Sequence, residues 1–248
     1  MTAGNGVADI LAIDGLHAAY QSGIDILQDL WLRVTPKSLT LVIGPNGAGK
    51  STLLRTIFGL LRPHQGTIEF QGRSIAGLDP SAIKTLGISY VPQEINTFPY
   101  LTVEENLRMG GWTFRRDKAR IKRQTERVYE IFPALAPRRR VRAGELSGGQ
   151  GRMLSVAREM MSEPALMLVD EPTAGLAPNL VDQVYALLRR ARESIGATIL
   201  LVDQNIGDAV QHADHIYMVN LGHIKAAGPA REFSSERIAA LIQECLLG

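Results

Sequence analysis

"GPNGAGKST", Gly44–Thr52, is the stretch on which the fold turns. Five apolar residues, Leu39–Ile43, run into it, and "LLRTIFGL", Leu53–Leu60, leaves it with the pattern of a helix. A G-x-x-x-x-G-K-[ST] run between a strand and a helix reads as a phosphate cradle. Its glycines let the backbone wrap, so that successive N–H groups point inward. The helix start adds partial positive charge. The wrap is expected from Gly44, Pro45, Asn46, Gly47, Ala48 and Gly49, with Thr52 closing it. Lys50 is placed to reach β- and γ-phosphates, and the Ser51 hydroxyl to ligate Mg²⁺. The expected ligands are therefore ATP and Mg²⁺.

Similar apolar strands recur on the C-terminal side. "ALMLV" (Ala165–Val169) and "TILLV" (Thr198–Val202) are apolar nearly throughout, as strands buried on both faces are. Between them, Asn179–Ile195 places Leu180, Val184, Leu187, Leu188 and Ala191 on one side of a helix. That is β-α-β grammar and predicts an α/β fold with a largely parallel sheet. The N-terminal segments "LAIDGLHAAY", "DLWLRV" and "GTIEFQGRSI" alternate instead, and predict antiparallel strands and hairpins. From Thr102 to Met161 helices dominate. Thr102 and Glu105 make a capping box, Asp117–Phe132 is a basic amphipathic helix, and Ser147 caps a helix reaching about Met161.

Two further motifs carry chemistry. In "ALMLVDEP", Ala165–Pro172, an apolar strand ends in adjacent carboxylates. Beside a phosphate cradle, Asp170 is expected to hold Mg²⁺ and Glu171 to orient and polarise the attacking water. "LSGGQ", Leu146–Gln150, is a second anion-receiving helix start. One nucleotide has little use for two cradles, so this one would serve a second copy closing over the first copy's ATP.

Composition sets outer limits. The chain has 248 residues, 45% apolar and 21% charged, with net charge +2, so no global field recruits nucleic acid. The basic clusters "RRDKARIKR" and "PRRRVR" read as a solvated face, since no aromatic residue interleaves with Arg139–Arg142. The single cysteine, Cys245, forms no intramolecular disulfide. His212 and His215 lack a third metal ligand nearby. No apolar run approaches the roughly 20 residues of a membrane span. "MTAGNGVADI" has no basic region before an apolar one, so no signal peptide is expected.

The cradle, the paired carboxylates and "LSGGQ", in this order, resemble the ATP-binding cassette family, the ATPase engines of ABC transporters, from about Leu11 to Gly228. The resemblance implies a P-loop NTPase fold: a RecA-like α/β core (about 10–92 and 162–228) with an antiparallel β subdomain, an inserted helical subdomain (about 93–161) and a C-terminal helix (229–248), together one nucleotide-binding domain. It implies that Tyr20 stacks on adenine and that Gln93, in "YVPQE", meets Mg²⁺ and links core to helical subdomain. It also implies that Ser147, Gly148, Gly149 and Gln150 touch nucleotide in the opposite subunit. "NTFPYL", Asn96–Leu101, would grip a short helix of a membrane subunit.

A narrower similarity, in "LTVEENLRMGG", "VYEIFPAL", "RRRVRAGELSGGQ", "EPTAGLAP" and "LVDQN", is to the ATPase subunits of branched-chain amino-acid importers. There the usual Asp is replaced by Ala177, and the usual switch histidine by Gln204. Glutamine can donate a hydrogen bond but cannot take a proton at neutral pH, so Gln204 is expected to position rather than act as a base. Gly151, where a Gln usually follows "LSGGQ", has no functional reading from sequence. The resemblance implies an ATP-hydrolysing importer subunit at the cytoplasmic face of the membrane. Its partners would be integral permease subunits and a second cassette, indirectly a periplasmic or extracellular solute receptor, and no nucleic acid. A soluble non-transport ABC ATPase, a nucleotide-gated module without turnover, and an importer of a related solute such as urea or amides stay open, as does homodimer against heterodimer.

Overall fold

The computed structural model describes residues 8–21, 23–176, 178–204 and 206–247. The N-terminal strands are β1 (Leu11–Ala18) and β2 (Leu27–Val34), followed by β3 (Leu39–Ile43) and helix α1 (Lys50–Ile57). Then come β4 (Gln65–Phe70), β5 (Arg73–Ser74), α2 (Pro80–Thr85) and β6 (Ile88–Val91). Three helices follow before the next strand: α3 (Val103–Gly110), α4 (Lys118–Ile131) and α5 (Gly148–Met160). The chain continues through β7 (Leu166–Asp170), α6 (Pro178–Ile195), β8 (Thr198–Val202), α7 (Ile206–Val210), β9 (His215–Asn220), β10 (His223–Pro229) and α8 (Ser235–Leu247).

Two sheets form, with orders β2-β1-β4-β5 and β10-β9-β3-β8-β7-β6. The first is antiparallel, as its alternating sequence predicts. "GTIEFQGRSI" divides into β4 and β5 because Gln71 and Gly72 both take positive φ, the geometry of a two-residue hairpin turn. In the second sheet the five strands from β9 to β6 are parallel, and β10 adds an antiparallel edge.

Alternate residues of the parallel strands feed two cores. Leu41, Ile43, Met167, Val169, Ile199 and Leu201 pack with the apolar faces of α3 to α6, including Leu107, Val128, Leu154 and Leu188. Val42, Leu166, Leu168, Leu200 and Val202 pack with α1 and the antiparallel sheet, including Leu53, Ile57, Leu11 and Leu32. This is why β3, β7 and β8 are buried at every position. Each such Leu or Ile contributes roughly 1.5–3 kcal/mol by leaving water. Strand β7 extends one residue beyond the apolar run, because Asp170 pairs with Val202 and is itself buried. The C-terminal helix begins at Ser235 rather than at 229, after one 3₁₀ turn, and docks through Ile238, with Cys245 against the same core.

Register decides where function can sit. Val91 lies opposite Val169, Asp170 opposite Val202, and Val42 opposite Val202. The carboxyl ends of β6, β7, β8 and β3 therefore lie side by side, and the loops leaving them share one edge of the sheet.

Candidate active site

The loop after β3 turns on glycines at positive φ, Gly44, Gly47 and Gly49. Gly44 has φ 151°, and a Cβ there would lie 2.1 Å from the Val219 carbonyl oxygen. Gly49, at φ 103°, is the N-cap of α1 and offers no side chain to the first-turn N–H groups. Those donors, with the dipole of α1 behind them, suit an anion. Lys50 is 4% exposed, and its Nζ donates to the carbonyls of Gly44 (2.8 Å) and Pro45 (2.9 Å). Burial lowers its pKa, against the opposing pull of Glu171 and Asp170.

Ser51 Oγ donates to Asp170 Oδ1 at 2.8 Å, and the Tyr90 hydroxyl donates to Oδ2 at 3.0 Å. Asp170 is 1% exposed; burial raises its pKa, while these two hydrogen bonds oppose the rise. A hydroxyl and a carboxylate in contact beside an uncapped helix start and a buried amine are a fitting donor set for a divalent cation on a phosphate chain.

Glu171 follows β7 with φ 43°, its N–H donating to the Val202 carbonyl at 2.8 Å. Its Oε2 accepts from Gln93 Nε2 (2.9 Å) and from Gln204 Nε2 (2.5 Å). Residues from the loops after β6 and β8 thus converge on one carboxylate oxygen of the residue that follows β7. Among the described residues, both of these donors lie on Oε2 and none on Oε1.

A cleft of about 330 Å³ joins these groups. It is lined by Asn46, Gly47, Gly49, Lys50, Ser51 and Thr52 of the cradle, by Gln93, Glu171 and Gln204, and by Tyr20 and Ile26. Tyr20 is 53% exposed, its hydroxyl accepting from Arg55 Nη1 at 3.1 Å, so its ring stands at the open rim. Ala48 is buried beneath the wrap, where its carbonyl accepts from the Gly222 N–H at 3.0 Å.

Ser147, Gly148, Gly149 and Gln150 do not line this cleft. Ser147 and Gln150 cap each other at the start of α5, with Ser147 and Gly148 exposed. Gly149 is buried, where a Cβ would approach Leu180 Cδ1 to 3.1 Å. Ala177 and Asn205 lie outside the described residues.

Some participants escape a reading by motif. Tyr90 lies within "YVPQE", but its bond to Asp170 depends on the β6–β7 register. Thr173 donates to the buried Asp203 carboxylate at 2.8 Å, joining the loops after β7 and β8. Asn106, fully buried, accepts from the Phe98 N–H (2.8 Å) and donates to the carbonyls of Phe98, Leu101 and Thr102. It thereby shapes the loop that exposes Phe98 and Tyr100, the latter 86% exposed. Gly151 meets the same loop further up, where a Cβ would lie 3.3 Å from Ile95 Cδ1.

Comparison with known proteins agrees with this geometry. The ABC transporter family model matches residues 27–174. The chain is 41% identical over 207 residues to the high-affinity branched-chain amino acid transport ATP-binding protein BraG of Pseudomonas aeruginosa, covering 84% of this chain and 88% of that one. It is 38% identical over 217 residues to the probable branched-chain amino acid transport ATP-binding protein LivF of Archaeoglobus fulgidus, covering 88% and 91%. Among solved structures, MJ1267, an ATP-binding cassette of an ABC transporter, superposes with a TM-score of 0.85 at 27% identity, over 97% of this chain and 99% of that one. With a phosphate cradle, a carboxylate pair and a sheet order that work as one site, this chain belongs to the ABC transporter family and is one of its ATP-hydrolysing subunits.

Proposed function

We propose that this subunit powers an importer of branched-chain or related hydrophobic amino acids, and that Glu171 orients the attacking water. The observation that carries the mechanism is the meeting of Gln93 and Gln204 on Glu171 Oε2 beside Lys50 and Ser51. Two amide donors hold the carboxylate while Oε1 accepts a proton of the water. Gln204 has no basic nitrogen, so it positions Glu171 and takes no proton.

Lys50 would leave the carbonyls of Gly44 and Pro45 to reach the β- and γ-phosphates, and the α1 N–H groups would receive the rest of the chain. Ser51, Asp170 and Gln93 would hold Mg²⁺, which when bound neutralises charge on the transferring phosphoryl group. Tyr20 at the rim would stack on adenine. The exposed start of α5, away from the cleft, is suited to the nucleotide of a second cassette, with Ser147, Gly148, Gly149 and Gln150 completing that site.

The exposed Phe98 and Tyr100 are suited to a permease subunit, which would keep the chain peripheral at the cytoplasmic face of the membrane. Among the described residues no helix is long and apolar enough to cross a membrane. The choice of solute is supported by the similarity to BraG and LivF and by the "LVDQN" and "AGLAP" irregularities. Co-purification from native membranes, followed by binding assays on the associated receptor, tests it: leucine, isoleucine or valine should bind, and a receptor selective for urea or amides overturns the solute.

A further inference from the structure

We infer that Arg152 is a positioning residue for hydrolysis, holding the loop that carries Gln93 so that its amide reaches Glu171. The inference rests on the reading of Glu171 above and adds a residue to it. Arg152 sits on α5, within two turns of Ser147, and is 4% exposed. Its Nη1 donates to the Pro92 carbonyl at 2.9 Å, and its Nη2 donates to the carbonyl of Gln93. A guanidinium presents its donors as a rigid fork, so two consecutive carbonyls fix the backbone at Gln93 in both position and orientation. The side chain of Gln93 then spans from that fixed point to Glu171 Oε2 at 2.9 Å.

Stability alone does not account for Arg152. Its Nε is buried with no partner, and burial pulls its pKa down against the opposing influence of Asp170 and Asp203. A buried cation with an unused N–H is costly, and its remaining donors are spent on the loop of Gln93. The neighbouring residues serve the same contact. Gly151 leaves room for Ile95, and Arg158 donates to the carbonyl of Asn96 while standing 5.3 Å over the Phe98 ring. The helix that begins at Ser147–Gln150 therefore grips the loop at three carbonyls, and Arg152 grips it where it meets the catalytic carboxylate.

A double-mutant cycle tests this, using steady-state ATP hydrolysis by the full chain in the assembly in which the parent turns over. Arg152→Met should lower kcat about tenfold, the size of a coupling within one hydrogen-bond network, with KM for ATP changed by about twofold at most. In a Gln93→Ala background the same substitution should lower kcat by less than about twofold, because the arm it steadies is gone. Arg152→Lys, which keeps the charge and can reach one carbonyl, should recover part of the loss. An equal loss in both backgrounds, no loss at all, or a rise in KM with kcat unchanged overturns the inference. If Arg152→Met does not fold, Arg152→Lys carries the cycle, and additivity with Gln93→Ala again overturns it. Glu171→Gln, run alongside, separates the two readings: full activity there removes the role of Glu171, whereas loss there with additivity in the cycle removes only that of Arg152.

Discussion

Gln204 donates its side-chain amide to Oε2 of Glu171 across 2.5 Å, from the loop after β8 to the residue after β7. The contact exists because β7 and β8 are parallel neighbours with Asp170 opposite Val202. Each strand delivers its next residues to the same edge, and the polar ends of two apolar strands become one site.

If Gln204 positions and does not titrate, its removal should leave the pH profile in place. Gln204→Ala is expected to lower kcat about tenfold with little change in the profile between about pH 6 and 8. Gln204→His should keep much of the activity but add a limb near pH 6.5, the usual imidazole range. Hydrolysis rates of both variants across pH check this; a parental rate for Gln204→Ala removes the role.

Asn106 is expected to matter for assembly more than for turnover. Its amide oxygen accepts the Phe98 N–H, and its NH₂ lies within hydrogen-bond distance of three carbonyls, in a fully buried position. Asn106→Ala leaves the Phe98 N–H without its partner, at about 1–3 kcal/mol, while the three carbonyls keep their backbone donors. Denaturant melts should show that loss, and capture of permease subunits through Phe98 and Tyr100 should weaken. An unchanged midpoint with unchanged capture would contradict this.

Asp25 gives a pH-dependent contribution away from the chemistry. The Asp29 N–H donates to His17 Nε2, so His17 Nδ1 carries the proton that meets Asp25 Oδ2 at 3.0 Å; His64 Nε2 meets Oδ1 at 2.7 Å. The hydrogen bonds from His64 and His17 hold the Asp25 carboxyl below its usual 3.8. A lowered folded pKa contributes stability that is complete above 3.8 and lost as pH falls through the folded value. Asp25→Asn should therefore lower Tm at neutral pH, by about 2 °C or less for a group still reached by solvent, with the gap closing in acid. Thermal melts from neutral to strongly acid pH check the sign; a gap that widens in acid contradicts it.

Much of the site is legible in the sequence because its parts are contiguous. Lys50 and Ser51 stand in one string with the glycines that shape their loop, and Asp170 and Glu171 end one apolar strand. Gln93 and Gln204 become legible once a family resemblance fixes their positions. Tyr90, Asp203 and Arg152 are harder, since their partners lie 80, 30 and 60 residues away and depend on sheet register or helix packing. Gly151 has no meaning until Ile95 is seen against it. The folding pattern follows the same division: strands buried on both faces announce themselves by composition, while the antiparallel edge β10 and the extra residue of β7 depend on which neighbour pairs with them.

Hydrolysis by Glu171→Gln, measured beside its ATP binding, tests the role of Glu171 most directly. Glutamine keeps an oxygen to accept from Gln93 and Gln204 but cannot take a proton from water. Binding should stay within about twofold of the parent, because the cradle around Lys50 is untouched, while kcat should fall about 10²- to 10⁴-fold. A Glu171→Gln chain that binds and hydrolyses ATP at the parental rate would contradict the assignment of Glu171 as the residue that acts on water.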